Sequence, residues 1–200
     1  SVSKKIISFN EILKSLVSIR KKILPFSEDV SELLNSKKFS NKKFLFEGAQ
    51  GLMLDVDHGT FPFVTSSNTI PASAAISLGV KPSKIGNILG IVKAYTTRVG
   101  EGPFPTELRS GQGLELAKKG NEFGSVTGRP RRCGWFDAVQ CKKAINIAGI
   151  DSLALTKIDV LDGFKKIKIC HKYKLGKKTI NHMPNSVKTL NRIKPDYLTL

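Results

Sequence analysis

Cysteine is scarce in this 200-residue chain: Cys133, Cys141 and Cys170 are an odd number with no C-x-x-C pair. That excludes a disulfide framework and the common zinc spacings, and it suits a reducing cytoplasm. Histidine is as sparse, and His58, His171 and His182 stand apart without ligand spacing, as solvated or hydrogen-bonded structural groups do. Long apolar runs are missing too. No stretch approaches the ~18 residues of a membrane-spanning helix, and the opening SVSKKIISFNEILKSL has no apolar run of signal-peptide length. Acidic residues are the remaining shortage, 16 against 33 lysines and arginines, for a formal net charge of +17.

A basic excess of this size marks a nucleic-acid protein only when it is clustered on one face. Here the 26 lysines are spread along the chain among many Ile, Asn and Phe, the pattern of a compositional bias. The seven arginines behave differently, because Arg98, Arg109, Arg129, Arg131 and Arg132 fall within 35 residues. A flat guanidinium fork holds carboxylate or phosphate at two points at once, which lysine cannot do. Arginine in a lysine-rich chain therefore marks positions where geometry matters. With 40% hydrophobic residues the chain can build a core, and we expect a single domain over residues 1–200.

KKIISFNEILKSLVSIRKKIL repeats apolar residues at helical spacing, and SEDVSELLNSKK opens on a capping-type serine, Ser27, so two helices are predicted in the first forty residues. KKFLFEG predicts a short buried strand running into a glycine-rich stretch. PASAAISLGV predicts a small-residue helix, IGNILGIVKAY a buried strand, FDAVQCKKAINIAG an amphipathic helix and SLALTKI a strand. KKIKICHKYKL and GKKTI predict a strand pair turning at Leu-Gly near the C-terminus. Strands alternating with helices, with polar residues where strands end, predict an α/β fold: a central, mostly parallel sheet flanked by helices, with its site at the strand C-termini.

Four stretches carry candidate chemistry. FEGAQGLMLDVDHGTFPFVTSSNT, residues 46–69, is too long and polar for a mere connection; Gln50 offers an amide donor and acceptor to a heterocycle, and Thr65 a hydroxyl to a phosphate oxygen. AYTTRVGEGPFPTEL, residues 94–108, sets Gly100, Gly102, Pro103 and Pro105 in a stiff turn. In GSVTGRPRRCGW, residues 124–135, Gly124 and Gly128 let backbone N–H groups turn inward, Ser125 and Thr127 add hydroxyls, and Arg129 and Arg131 project to one side if the segment is extended, an arrangement suited to anions. A nucleic-acid reading would want aromatic residues interleaved with the arginines, and only Trp135 stands near. LALTKIDVLDG, residues 153–163, is an apolar strand ending in Thr-Lys-x-Asp. There the Asp159 carboxylate accepts from guanine N1–H and the 2-amino group together while the Lys157 stem lies over the purine face.

In this order, these four stretches closely resemble the adenylosuccinate synthetase family, densely over residues ~43 to 170. The resemblance implies part of a P-loop-NTPase-like fold and a GTP-dependent ligase of AMP biosynthesis that joins IMP to L-aspartate. The IMP 6-oxygen attacks the GTP γ-phosphate, and the aspartate amine then displaces phosphate from 6-phosphoryl-IMP, leaving adenylosuccinate and GDP. It implies Mg2+, a cytoplasmic homodimer in which a neighbour's arginine completes the IMP site, and no nucleic-acid or membrane partner. By matching position, Gln50, Thr65 and Arg129 are implied for IMP. Val99 and the loop Ser125, Val126, Thr127, Gly128, Arg129, Pro130 and Arg131 are implied for aspartate, and Arg131, Lys157, Ile158 and Asp159 for GTP.

Three departures stand out. Val126 sits where the family usually carries a second threonine, and IPASAAISLG replaces a more glycine-rich stretch. No G-x-x-x-x-G-K pattern occurs. The family's phosphate loop, with its magnesium-binding aspartate and catalytic histidine, is therefore expected outside these residues, which read as a central to C-terminal fragment with no catalytic or metal residue of its own. The alternative of another class is a catalytically inactive, basic nucleic-acid-binding module of the same ancestry.

Overall fold

The computed structural model describes residues 8–109, 111–124 and 128–200. Contacts group the chain into two units, residues 1–45 with 78–80, and residues 46–77 with 81–200.

The first unit is helical. Helix α1, Phe9–Ile23, opens at Ser8, whose N–H donates to the Glu11 carboxylate three residues on (3.4 Å), and it closes on Arg20, Lys21 and Lys22, cations suited to the carbonyl end of a helix. Pro25 helps break it into a 3-10 turn, Leu24–Phe26. Helix α2, Val30–Asn35, is capped by the Asp29 carboxylate, which accepts from Glu32 N at 3.0 Å, rather than by Ser27. Ser31 and Asn35 both donate to the Gly79 carbonyl (3.2 and 3.0 Å), fixing residues 78–80 against α2. The predicted strand KKFLFEG is absent: residues 42–48 form no strand, and Leu45 is 94% exposed. An apolar run becomes a strand only where another backbone runs beside it, which its sequence alone does not encode.

In the second unit α3, Ala72–Leu78, precedes β1, Leu89–Lys93, and β2, Thr96–Arg98. Then come α4, Gln112–Lys119; β3, Arg132–Gly134; β4, Phe136–Asp137; α5, Ala138–Ala148; and β5, Ser152–Thr156. Strands β6, Lys168–Leu175, and β7, Lys178–Ile180, are followed by α6, Val187–Leu190, and β8, Lys194–Thr199. Strands β1 and β5 pair in parallel from Leu89–Ser152 to Lys93–Thr156, so both C-terminal ends lie together. Strand β4 pairs parallel with β6, whereas β6 pairs antiparallel with β7, as predicted, and with β8, which the sequence reading did not anticipate. The fold is thus mixed α/β with the expected strand pair.

Two apolar clusters hold this unit. One gathers Met53, Val139, Cys170, Tyr173, Met183, Leu190 and Ile193, and the other Ala94, Tyr95, Leu116, Cys133, Trp135, Val160 and Leu161. The predicted burial of the β1 strand is only half right, since Leu89 and Ile91 are exposed while their neighbours are partly buried. A continuous apolar run predicts cover on both faces, and here one face is covered. Helix α5 is better specified locally: the Asp137 carboxylate accepts from Gln140 N at 3.0 Å at its start, and Gly149 closes it in the left-handed region (φ 63°).

Burial pushes the Cys133 thiol up to about 11 and the Cys170 thiol up to about 12, with Glu122 and Asp137 respectively adding to it. Cys141 on α5 is only half-buried. Native protein treated with a maleimide near neutral pH is therefore expected to label at Cys141 first, with Cys133 and Cys170 reacting only on unfolding; mass mapping of the labelled peptides checks this.

Candidate functional site

Residues 50–69 wrap around a buried carboxylate. Asp55 is fully buried and accepts from the backbone N–H groups of Asp57 (3.0 Å), His58 (2.9 Å) and Thr69 (2.6 Å). Burial works to raise its pKa, but these hydrogen bonds outweigh it and hold the group below the usual carboxylate range. The loop so formed carries Gln50, whose backbone is left-handed (φ 62°), and Thr65, whose N–H donates to Leu54 O at 2.8 Å.

This loop is tied to the second stretch by Arg98 at the end of β2. Its Nη2 donates to Thr60 Oγ1 (2.9 Å) and Phe63 O (3.0 Å), and its Nε to Glu101 O (2.9 Å). The second and third stretches are joined in turn. Strands β2 and β3 pair antiparallel, ending at Arg98–Arg132, so Val99 and Arg131 lie one step beyond that pair. Leu108 N–H donates to Cys133 O (2.9 Å) and Trp135 N–H to Thr106 O (3.2 Å). Gly134 bridges Glu107, and a Cβ there would collide with the Thr106 carbonyl, so the close approach requires glycine. Arg132 forks onto Glu107 (Nε–Oε1 2.7 Å, Nη2–Oε2 2.8 Å), and its Nη1 reaches the Gly100 and Gly102 carbonyls (3.1 and 2.9 Å).

The arginine cluster therefore divides. Arg98 and Arg132 donate to protein acceptors that brace the loops, and Arg131 donates to the Glu122 carboxylate at 2.8 Å; Arg131 and Arg129 belong to the loop read from the sequence as anion-binding. Gly124 N–H donates to Arg129 O and Gly128 N–H to Gly124 O, both at 2.8 Å. These two N–H groups thus have partners within the chain. Gly128 is left-handed (φ 63°), and Pro130 bridges Phe123. Ser125, Val126 and Thr127 lie outside the described residues.

Sequence reading missed Glu122. Its side chain is fully buried yet accepts from Lys93 Nζ at 2.8 Å, from Arg131 Nη1 at 2.8 Å and from the Tyr95 hydroxyl. Burial works to raise its pKa, and the hydrogen bonds of Lys93, Tyr95 and Arg131 overcome this to hold it low. The available signal was an acid beside an arginine cluster in a chain poor in acids. Glu107, missed for the same reason, is held low chiefly by its fork to Arg132. Both carboxylates have folded pKa values below their unfolded ones, so their stability is present above ~4.3, the free glutamate value, and is lost as pH falls through the folded values. Urea midpoints are expected to fall on acidification below that point, with a shallower dependence in Glu107→Gln.

The fourth stretch continues from the C-terminal end of β5. Lys157 adopts a left-handed backbone (φ 60°), a strained conformation for lysine of the kind that persists at functional sites. Its ammonium donates to Gly120 O at 2.7 Å. The 3-10 turn Ile158–Leu161 buries Val160 and Leu161 in the second core and leaves Ile158 and Asp159 exposed. Gly120 and Glu122 sit two residues apart, so the segment after α4 meets both Lys157 and Arg131. Among the described residues, no hydrogen bond links the Gln50 or Thr65 side chain to this group. Trp135, the aromatic that a nucleic-acid surface would use for stacking, is 1% exposed and belongs to the core.

A family model described as adenylosuccinate synthetase matches residues 1–200. Among solved structures, the fully ligated adenylosuccinate synthetase from Plasmodium falciparum superposes with a TM-score of 0.92 at 37% identity, covering 98% of this chain and 47% of its own. The cyanophage S-2L succinoaminodeoxyadenylate synthetase, bound to dGMP and to dATP as an energy donor, gives 0.54 at 25% identity, covering 69% of this chain and 43% of its own. This chain thus spans about half the length of the solved proteins it matches. The order of the four stretches, the bracing that brings three of them together and the match along all 200 residues agree: the chain belongs to the adenylosuccinate synthetase family.

Proposed function

We propose that this chain carries nucleotide- and aspartate-binding parts of a GTP-dependent ligase that joins IMP to L-aspartate through 6-phosphoryl-IMP. The observation that carries the reading is the Gly120–Glu122 segment, which ties Lys157, two residues before Asp159, and Arg131 to one piece of backbone. Asp159 reads guanine by accepting two N–H donors, and Lys157 borders the base, with Ile158 between them. Arg131 and Arg129 meet anionic groups of aspartate and nucleotide as bidentate forks, beside Val99, Gly128 and Pro130. Thr127 and Ser125 belong to the same loop, and Val126 removes a hydroxyl from it. Gln50 and Thr65 contact the base and 5′-phosphate of IMP. Such phosphoryl transfer is chiefly positioning and charge stabilisation, to which these side chains contribute orientation.

Magnesium accompanies this reading, but no three His, Cys, Asp or Glu side chains among the described residues come together to hold a metal ion, and we assign it no ligand here. No catalytic acid or base is assigned to this chain either, so by itself it binds without turnover. Adenylosuccinate formation by these residues alone would contradict that. The working protein is a cytoplasmic homodimer in this reading; no helix among the described residues is long and apolar enough to cross a membrane.

The test is isothermal titration of the chain with IMP and, separately, GTP. Binding of IMP that is lost in Arg129→Ala, with GTP binding kept, is the expected result. Absence of binding by a folded chain overturns the placement of these sites here, and nucleotide-insensitive, steeply salt-dependent binding of arbitrary RNA favours the nucleic-acid alternative.

A further inference from the structure

Glu122 presents an energetic problem whose solution points to a role. A carboxylate taken wholly out of water is unfavourable unless its oxygens are filled by donors. Here Oε1 accepts from Lys93 Nζ (2.8 Å) and the Tyr95 hydroxyl, and Oε2 from Lys93 Nζ and Arg131 Nη1 (both 2.8 Å). Its backbone is fixed as firmly: Glu122 N–H donates to Ala117 O and Arg131 N–H to Glu122 O, both at 2.9 Å. Burial is unequal across the group. The carboxylate is fully buried, whereas Lys93 and Arg131 keep 27% and 31% of their side chains exposed.

One buried negative charge thus anchors two cations that reach the surface, leaving one positive charge in surplus. Lys93 closes β1, beside the end of β5, and Lys93 Nζ is steadied further by Thr97 Oγ1 at 3.1 Å. We propose that Glu122 is a positioning residue that holds Arg131 as a donor for a substrate carboxylate, and that Lys93, whose ammonium donates to Glu122 and Thr97, is a further residue of the site that supplies positive charge beside that donor. The proposal rests on the reading of Arg131 as an aspartate contact. A long, flexible cation locked before the ligand arrives loses less freedom on binding it than a free one, so the effect falls on affinity for that ligand.

The experiment is steady-state kinetics with IMP, GTP and aspartate on the protein in the form in which the cell makes it, comparing wild type with Glu122→Gln, Glu122→Asp, Tyr95→Phe and Lys93→Met, each checked for folding by thermal melting. Glu122→Gln and Lys93→Met are expected to raise KM for aspartate at least tenfold with KM for IMP within twofold, and Glu122→Asp to recover part of the loss. If Glu122→Gln does not fold, Tyr95→Phe, which removes one donor from the same carboxylate, is expected to shift the aspartate KM in the same direction. An active wild type whose variants lower kcat alone, raise all three KM values alike or change nothing overturns the proposal and leaves the functional reading standing. A folded wild type that neither turns over the three substrates nor binds IMP or GTP overturns both.

Discussion

Asp159→Ala is expected to weaken GTP binding by at least about 100-fold while leaving IMP binding intact. The carboxylate accepts two hydrogen bonds from guanine in the proposed pose, and bonds to a charged group contribute ~1.5–3 kcal/mol each, so losing both costs ~3 kcal/mol or more. Its scaffold survives the change, because Val160 and Leu161 anchor the turn from the second core and Asp159 itself is exposed. Adenine presents a lone pair at N1 where guanine presents N–H, so the wild-type carboxylate repels ATP, and the variant is expected to lose its preference between the two. Parallel titrations with GTP and ATP check this. An unchanged preference would show that the base is read elsewhere, a question sharpened by the cyanophage relative, which was solved with dATP as its energy donor.

Trp135→Ala is expected to be the most destabilising single truncation in the second unit. The indole is 1% exposed, stands edge-on to Phe164 (centroids 5.8 Å apart, 78° between planes) and sits among Tyr95, Leu116 and Leu161. Truncating a buried tryptophan costs ~3–5 kcal/mol in lost contact and residual cavity, a large part of the ~5–15 kcal/mol that ordinarily holds a domain together. Since Trp135 lies directly after β3 and its N–H donates to Thr106 O, the loss also loosens the Glu107–Gly134 pairing beside Arg131 and Arg132. Urea unfolding followed by circular dichroism measures the effect; intrinsic fluorescence cannot, because this is the chain's one tryptophan.

Legibility of the fold tracked how local each cause was. Helix α5 announced itself through its amphipathic run, with the Asp137 cap and Gly149 stop that the structure shows both inside the stretch, and the β6–β7 hairpin through its Leu-Gly turn. KKFLFEG and the β1 run looked equally strand-like, yet one forms no strand and the other is covered on one face only. Strand β8 was missed because its pairing with β6 joins residues twenty or more apart and leaves no short-range mark.

The sequence by itself determined the family, since four ordered stretches of unusual composition cannot be matched by chance, and it singled out Arg131, Lys157 and Asp159 by residue type and spacing. Only the tertiary structure decided how the arginines divide: Arg98 and Arg132 brace loops, and Arg131 is set on a buried Glu122 that the sequence showed merely as one acid among few. A guanidinium's partner is fixed by which acceptors the folded chain brings near it, and in one dimension an arginine that braces loops and one set on a buried carboxylate look the same.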